Sequence, residues 1–290
     1  MLSYSSSTNS LWAMAWHQLK KDRAGIAGLV IVMLFLFIST GVWLGLWGNG
    51  WSDTSAQFNA HPSTSHWFGT NAIGQDIAAR GIYATKVAFE VGLLVTLASL
   101  LLGLIAGTLS GFKANSKTDS LILWVMGVLD SIPFYLFVAA VAYALKQHLF
   151  AMHLAMIAVF WTSIARVIRS EVIRIKNMEY VEAGEAIGLS HFKIVLNHII
   201  PNTTHLLLVQ GTLIFVSAIK TEVILSFLGL GIKEGISWGL MIAESTQDIQ
   251  AGHFANFITA SGLLFLLVMG FNLLSDALQD ALDPKSIGKS

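Results

Sequence analysis

The chain contains no cysteine, which excludes disulfides, thiolate metal sites and a cysteine nucleophile. It is also poor in charge. Only 12% of its 290 residues are Asp, Glu, Lys or Arg, and they cancel to a formal net charge of zero. No overall field therefore draws it to nucleic acid or to an acidic partner. A signal-peptide cleavage site is missing too. The start, "MLSYSSSTNSLWAMAWHQLKKDR", is polar and then basic, and the apolar run behind it is too long for a signal core, so it reads as a retained span. What replaces charge is apolar surface: 54% of residues are hydrophobic and the mean hydropathy is +0.67, outside the balance of a soluble domain.

A membrane span needs about 20 mostly apolar residues. Six segments qualify: Ala24–Trp47, Lys86–Phe112, Asp119–Leu145, Leu149–Ile168, Thr204–Leu228 and Phe254–Leu274. The third and fourth are joined by a tight hairpin at "KQHL". Expected, then, is an all-α integral membrane protein with six transmembrane helices: a cytoplasmic segment over 1–23, a six-span membrane domain over 24–290, and within it an outer loop over 48–85. With the N-terminus in the cytoplasm, twelve Lys and Arg fall on that side and four (Arg80, Lys86, Lys146, Lys233) on the other. Positive charge concentrates on the cytoplasmic side, so both termini are expected there. In the second span, Ser99, Gly103, Gly107 and Gly111 put a small residue at every fourth position. Another helix can come close along such a stripe, either one of this chain or one of a similar second subunit.

The cytoplasmic loop 169–203 contains "EYVEAGEAIGLSHFKIVLNHIIPN". Tyr180, Ala183, Gly184 and Ile187 repeat at helical spacing, with Glu179, Glu182 and Glu185 opposite. Gly188 suits the left-handed residue that closes a helix, and Ser190 can cap a second one. That helix carries Phe192, Val195, Leu196 and Ile199, and Pro201 is expected to end it. The pattern encodes helix, turn, helix, each with an apolar stripe to rest on the membrane domain. An interfacial helix on anionic lipid would be rich in Lys and Arg; three glutamates favour a protein partner instead.

These residues resemble the EAA loop of bacterial ABC importer permeases: Glu182, Ala183, Gly188 and Pro201 fall in register, while Gly184, His198 and Ile200 depart from the pattern. The form is similar to the dipeptide/oligopeptide (peptide/nickel) branch, in its second-permease subunit. "HWFGTNAIGQDIAARGIY" (His66–Tyr83), "ILSFLGLGI" with "SWG" (Ile224–Gly239) and "NLLSDALQDALDP" (Asn272–Pro284) resemble further signatures of that branch in the same order. In the first of these, Asn71 and Gln75 stand where an acid and an arginine are usual. The resemblance implies the type I importer permease fold and a bacterial cytoplasmic membrane. It implies as partners a homologous second permease, two cytoplasmic ATPases that use ATP and magnesium, and an external solute-binding protein. It implies that Glu179, Tyr180, Glu182, Ala183, Gly184, Glu185, Gly188 and Pro201 form the ATPase-coupling element. Cargoes of such relatives include dipeptides, oligopeptides, nickel, glutathione and antimicrobial peptides.

No catalytic or metal site is expected in the chain itself. "IGKS" (Ile287–Ser290) resembles the end of a phosphate-binding loop, but Asp283 stands where its first glycine belongs. His61 and His66 share a loop with no evident third ligand and are expected to be solvated. Four charges, Glu90, Asp130, Lys220 and Glu222, fall within or near spans. Such groups pair within the bundle (Lys220 with Asp130, for instance), snorkel, or line a wet path. A self-sufficient secondary transporter would favour inverted repeats and broken helices, and no repeat is evident.

Overall fold

The computed structural model describes residues 16–55, 57–146 and 148–282, so the "IGKS" resemblance and Lys285 and Lys289 lie outside the described residues. Most of it is helical: α1 (Arg23–Trp43), α2 (Ile77–Phe112), α3 (Lys117–Asp130), α4 (Phe134–Ala144), α5 (Ala151–Lys176), α6 (Glu179–Ala186), α7 (His191–Ile194), α8 (Ile200–Phe227), α9 (Trp238–Gln250) and α10 (Ala255–Leu282). Many starts carry a local signal. The side chains of Asp22, Asp76, Ser116, Ser190 and Ser237 each accept a hydrogen bond from a backbone N–H in the first turn of the helix that follows, which satisfies donors a helix leaves unpaired.

Five helices, α1, α2, α5, the continuous stretch His191–Phe227 and α10, are long and apolar enough to cross a membrane. The expected third span differs. It is broken into α3 and α4, which meet at 91°. Pro133 stands at the break and opens α4; it has no N–H to donate, and it disfavours helical geometry at Ile132. Two further expectations are corrected. The outer loop is already helical from Ile77, capped by Asp76, and Pro201 ends no helix. It lies in the first turn of α8, and the chain enters α8 through a widened π turn at Val195–Ile199. Wider spacing there accommodates the proline ring and the missing donor.

The small-residue stripe of α2 packs within this chain. A Cβ on Gly103 would lie 2.5 Å from Cβ of Ile164, one on Gly107 2.6 Å from the Ala165 carbonyl, and one on Gly111 2.8 Å from the Arg169 carbonyl, all on α5. Likewise α1 crosses α10 at Gly28, where a Cβ would meet the Gly270 carbonyl at 2.7 Å. Hence α2 is the central post, flanked by α5, α8 and α1, and the first helix rests on the last. Leucines of α2 such as Leu97 and Leu101, and Phe37 and Phe265 of α1 and α10, remain exposed, as lipid-facing side chains should be.

Candidate functional site

The helix pair α6–α7 is a rigid unit. Glu179 and Glu182 sit in the first turn of α6, where carboxylates favour the positive end of the helix dipole. At its other end Gly188 adopts φ +80°, a conformation costly for residues with a Cβ. Leu189 N donates to Gly184 O at 3.1 Å and Gly188 N to Glu185 O at 3.0 Å, the two bonds of a Schellman closure. The Leu189 side chain folds back over Gly184, so that a Cβ there would meet it at 3.3 Å. Ser190 then caps α7.

The inward face of this unit is not the predicted one. Val181, Ile194 and Ile199 are fully buried in the same core as Val172 and Ile175 of α5, and Gly184 is buried with them. Tyr180, Ala183, Ile187, Phe192 and Leu196 are exposed, as are Glu179, Glu182 and Glu185. Three residues of the expected stripes, Gly184, Val195 and Ile199, therefore face the bundle. Tyr180, Ala183 and Ile187 point outward on the helix that carries the acids, and Phe192 and Leu196 line an apolar groove against Leu101, Leu104 and Ile105 of α2. Three spans hold the unit. Lys176 Nζ donates to the Phe112 carbonyl at 3.0 Å, the Phe112 and His191 rings meet edge to face at 5.3 Å, and Asn202 Nδ2 donates to the Tyr180 hydroxyl at 3.5 Å. Beside it, buried Asp119 at the start of α3 receives a forked pair of 2.8 Å bonds from Arg169 of α5 and one from Ser110 of α2.

The four intramembrane charges do not gather at one place. Asp130 lines a cleft of about 700 Å³ at the α3–α4 break, together with Thr162 and Ser163 of α5 and Gln210 and Ser217 of α8. Its partner is Arg166, not Lys220, and Thr162 Oγ1 donates to it at 3.2 Å. Glu222 is 4% exposed and faces away from the cleft. It accepts from Ser226 Oγ at 2.5 Å, and Ser226 in turn meets Ser237 at 3.3 Å. So Glu222 ties α8 to the cap of α9. Glu90 pairs with Lys86 at 3.6 Å and accepts from Trp43 Nε1 at 2.8 Å, at the α1–α2 edge. Lys220 is exposed.

Sequence reasoning missed Arg166 of α5 as the partner of Asp130 and Arg169 as the partner of Asp119. For the first of these pairs alone a signal was present: the expected hairpin at "KQHL" sets Asp130 and Arg166 at similar distances from the turn. The loop before α2 is a folded cap. His66 is no free side chain; its Nδ1 meets Asp76 at 2.7 Å. Asn71 and Gln75 are buried, and Asn71 Nδ2 donates to Gln75 Oε1 at 3.1 Å, a neutral amide pair where an ion pair was the family expectation. Buried Arg80 reaches Glu244 of α9. Burial pushes the Glu244 carboxyl up, the Arg80 guanidinium pulls it back, and Asp248 pushes it up further. Trp238 of the "SWG" motif is 2% exposed and donates to the Gly81 carbonyl at 3.0 Å.

Residues 99–288, which hold α5, the helix pair and the cleft, match the family described as binding-protein-dependent transport system inner membrane component. The chain belongs to that family. A second match, to the N-terminal TM domain of oligopeptide transport permease C, covers residues 10–45 of this permease. The dipeptide transport system permease protein DppC of Bacillus subtilis is 36% identical over 93% of this chain and 85% of its own length. The oligopeptide transport system permease protein OppC of Haemophilus influenzae is 33% identical over 95% and 89%. Among solved structures, one described as the crystal structure of an amino acid ABC transporter with histidines superposes with a TM-score of 0.51 at 18% identity, over 69% of this chain and 92% of that one. At that identity the likeness bears on the fold, the type I ABC permease fold.

Proposed function

We propose that this permease is one of two homologous membrane subunits of an ATP-driven peptide importer. It takes cargo from an external binding protein and is driven by two cytoplasmic ATPases through α6–α7. ATP and magnesium belong to those ATPases. In this reading both termini face the cytoplasm of a bacterial inner membrane, and the cleft at the α3–α4 break forms part of the path. The observation that carries it is the outward face of α6: apolar Tyr180 and Ile187, 44% and 78% exposed, stand on the same short helical segment as three exposed glutamates, on a unit braced to three spans. Exposed apolar surface next to charge marks a protein contact, and the bracing lets a push at that contact move spans. Most of the docking energy must be apolar, since an exposed ion pair contributes about 0.2–1 kcal/mol.

The test is a mild detergent pull-down of tagged protein from its native membranes, with ATPase activity measured after reconstitution. Recovery of a second permease and ATPases, with hydrolysis stimulated by a peptide-loaded binding protein, is expected. Recovery of this chain alone, under conditions that preserve a known ABC complex, would overturn the reading in favour of a self-sufficient transporter.

A further inference from the structure

A groove of about 670 Å³ runs between α2 and the stretch that leads from α7 into α8. Leu101, Ile105 and Leu109 line it on one side, and Phe192 and Leu196 on the other. All five are exposed, so the groove opens on the apolar surface that α2 turns to lipid. Its polar end is made by Lys113, the residue after α2, and His191, the first of α7. Among the described residues the Lys113 ammonium takes part in no ion pair or hydrogen bond. A second ammonium stands close by: Lys176 Nζ lies 3.0 Å from the Phe112 carbonyl and 4.8 Å from the centre of its ring. Among the described residues no Asp or Glu lines the groove.

The walls and the length decide what fits. A second helix packs closely where its seat is lined by small residues. None of the lining residues is Gly, Ala or Ser, and the small-residue stripe of α2 is already used against α5. A flexible chain has no such requirement. From Lys113 to Leu101 α2 rises about 18 Å at 1.5 Å per residue. One leaflet contributes about 15 Å, half the hydrocarbon core. Thr108 also lines the groove and is 6% exposed, yet its hydroxyl has no hydrogen-bond partner, which costs free energy until an acceptor arrives. It lies about 7–8 Å along the axis from Lys113, on the side where a lipid's ester carbonyls follow its phosphate.

We propose that this groove holds one anionic phospholipid. An acyl chain lies between the two walls, Thr108 donates to an ester carbonyl, and Lys113 and His191 bind the phosphate, with Lys176 adding positive charge. Basic pockets between spans recognise acidic headgroups in this way. One wall belongs to α2 and the other to α7 and the turn behind it, so a bound lipid fastens the helix pair to the bundle. That consequence rests on the importer reading; the site itself needs only a membrane.

The test uses protein purified in mild detergent with whatever partners accompany it, stripped of lipid and titrated with phosphatidylglycerol or phosphatidylethanolamine. Native mass spectrometry counts the lipids that remain on this chain. Retention of one phosphatidylglycerol, in preference to phosphatidylethanolamine, is expected. Lys113→Gln should cut that preference about fivefold, the worth of one lysine beside an anionic headgroup, and Lys113→Arg should keep it. Lys117→Gln, exposed and outside the groove, should change nothing. Thr108→Val should weaken both lipids alike, by roughly two- to tenfold, because both carry esters. Absence of any preference in the unsubstituted protein, or a preference that Lys113→Gln leaves intact, overturns the proposal. So does a disulfide between Ile105→Cys and a cysteine introduced into the second permease, which would put a protein helix in the groove. A chain recovered without partners that still keeps its lipid would sink the importer reading and leave the site standing.

Discussion

Replacing Gly107 with alanine tests whether α2 and α5 meet as the structure has them. The new methyl would lie 2.6 Å from the Ala165 carbonyl and 2.8 Å from Cβ of Ile168. Neither atom is the tip of a flexible side chain, so relief requires the two helices to part. Moving from 2.6 Å to the 3.4 Å at which ordinary contact begins means a shift of about 0.8 Å. Overpacking of this kind costs about 1–3 kcal/mol, offset by the roughly 0.5–1 kcal/mol that alanine contributes in a helix interior. A net loss of about 1–2 kcal/mol lowers Tm by about 2–8 °C for a chain of this size. Gly127→Ala on α3 is the control, since its Cβ would meet nothing within 4 Å, and it should raise Tm slightly. Thermal unfolding of the purified complex in detergent, followed by tryptophan fluorescence, reads both variants. A Gly107→Ala protein as stable as the Gly127→Ala protein would refute the close α2–α5 contact.

Other outcomes follow from the same geometry. Glu182→Lys should leave insertion and complex assembly intact and uncouple ATP hydrolysis from uptake; normal transport would remove Glu182 from the coupling contact. Gly184→Ala meets only the movable tip of Leu189 at 3.3 Å, so it should change Tm by no more than about 2–4 °C and preserve coupling, and lost coupling would show that a partner approaches this glycine. Asn71→Asp or Gln75→Arg alone buries an unpaired charge and should cost about 1–3 kcal/mol, whereas the double substitution should recover most of it. Additive losses in a double-mutant cycle would mean the two sites do not pair.

Much of the architecture is legible in the sequence because it rests on local patterns. Apolar runs mark the spans, and Gly188 with Ser190 marks the helix–turn–helix. What failed depended on information that periodicity does not hold. An apolar stripe shows that a helix has two faces, yet not whether the stripe serves its own chain or a partner; Tyr180 and Ile187 turn outward because Val181, at an unremarked position, supplies the inward contact. The break at Ser131–Pro133 was hidden because the span was read as one apolar run, Asp119–Leu145, although proline is a plain local stop. Pro201 gave the opposite error: a proline that terminates in isolation is absorbed where the next turn can widen to π geometry. Asp119–Arg169 and Arg80–Glu244 join residues far apart in the chain and leave no local trace.

The contact between α1 and α10 has a consequence for the order of assembly. The ribosome extends a chain at ~5–20 residues per second, so Gly28 enters the bilayer on the order of tens of seconds before Gly270 exists to meet it. During that interval α1 is a lone helix with an open glycine groove, held only by its hydrophobicity and by whichever helices have already arrived. The last helix thus acts as a keystone. A nascent chain arrested before Gly270 should keep α1 in the membrane and leave it separable from the rest, a state that quality-control proteases could recognise.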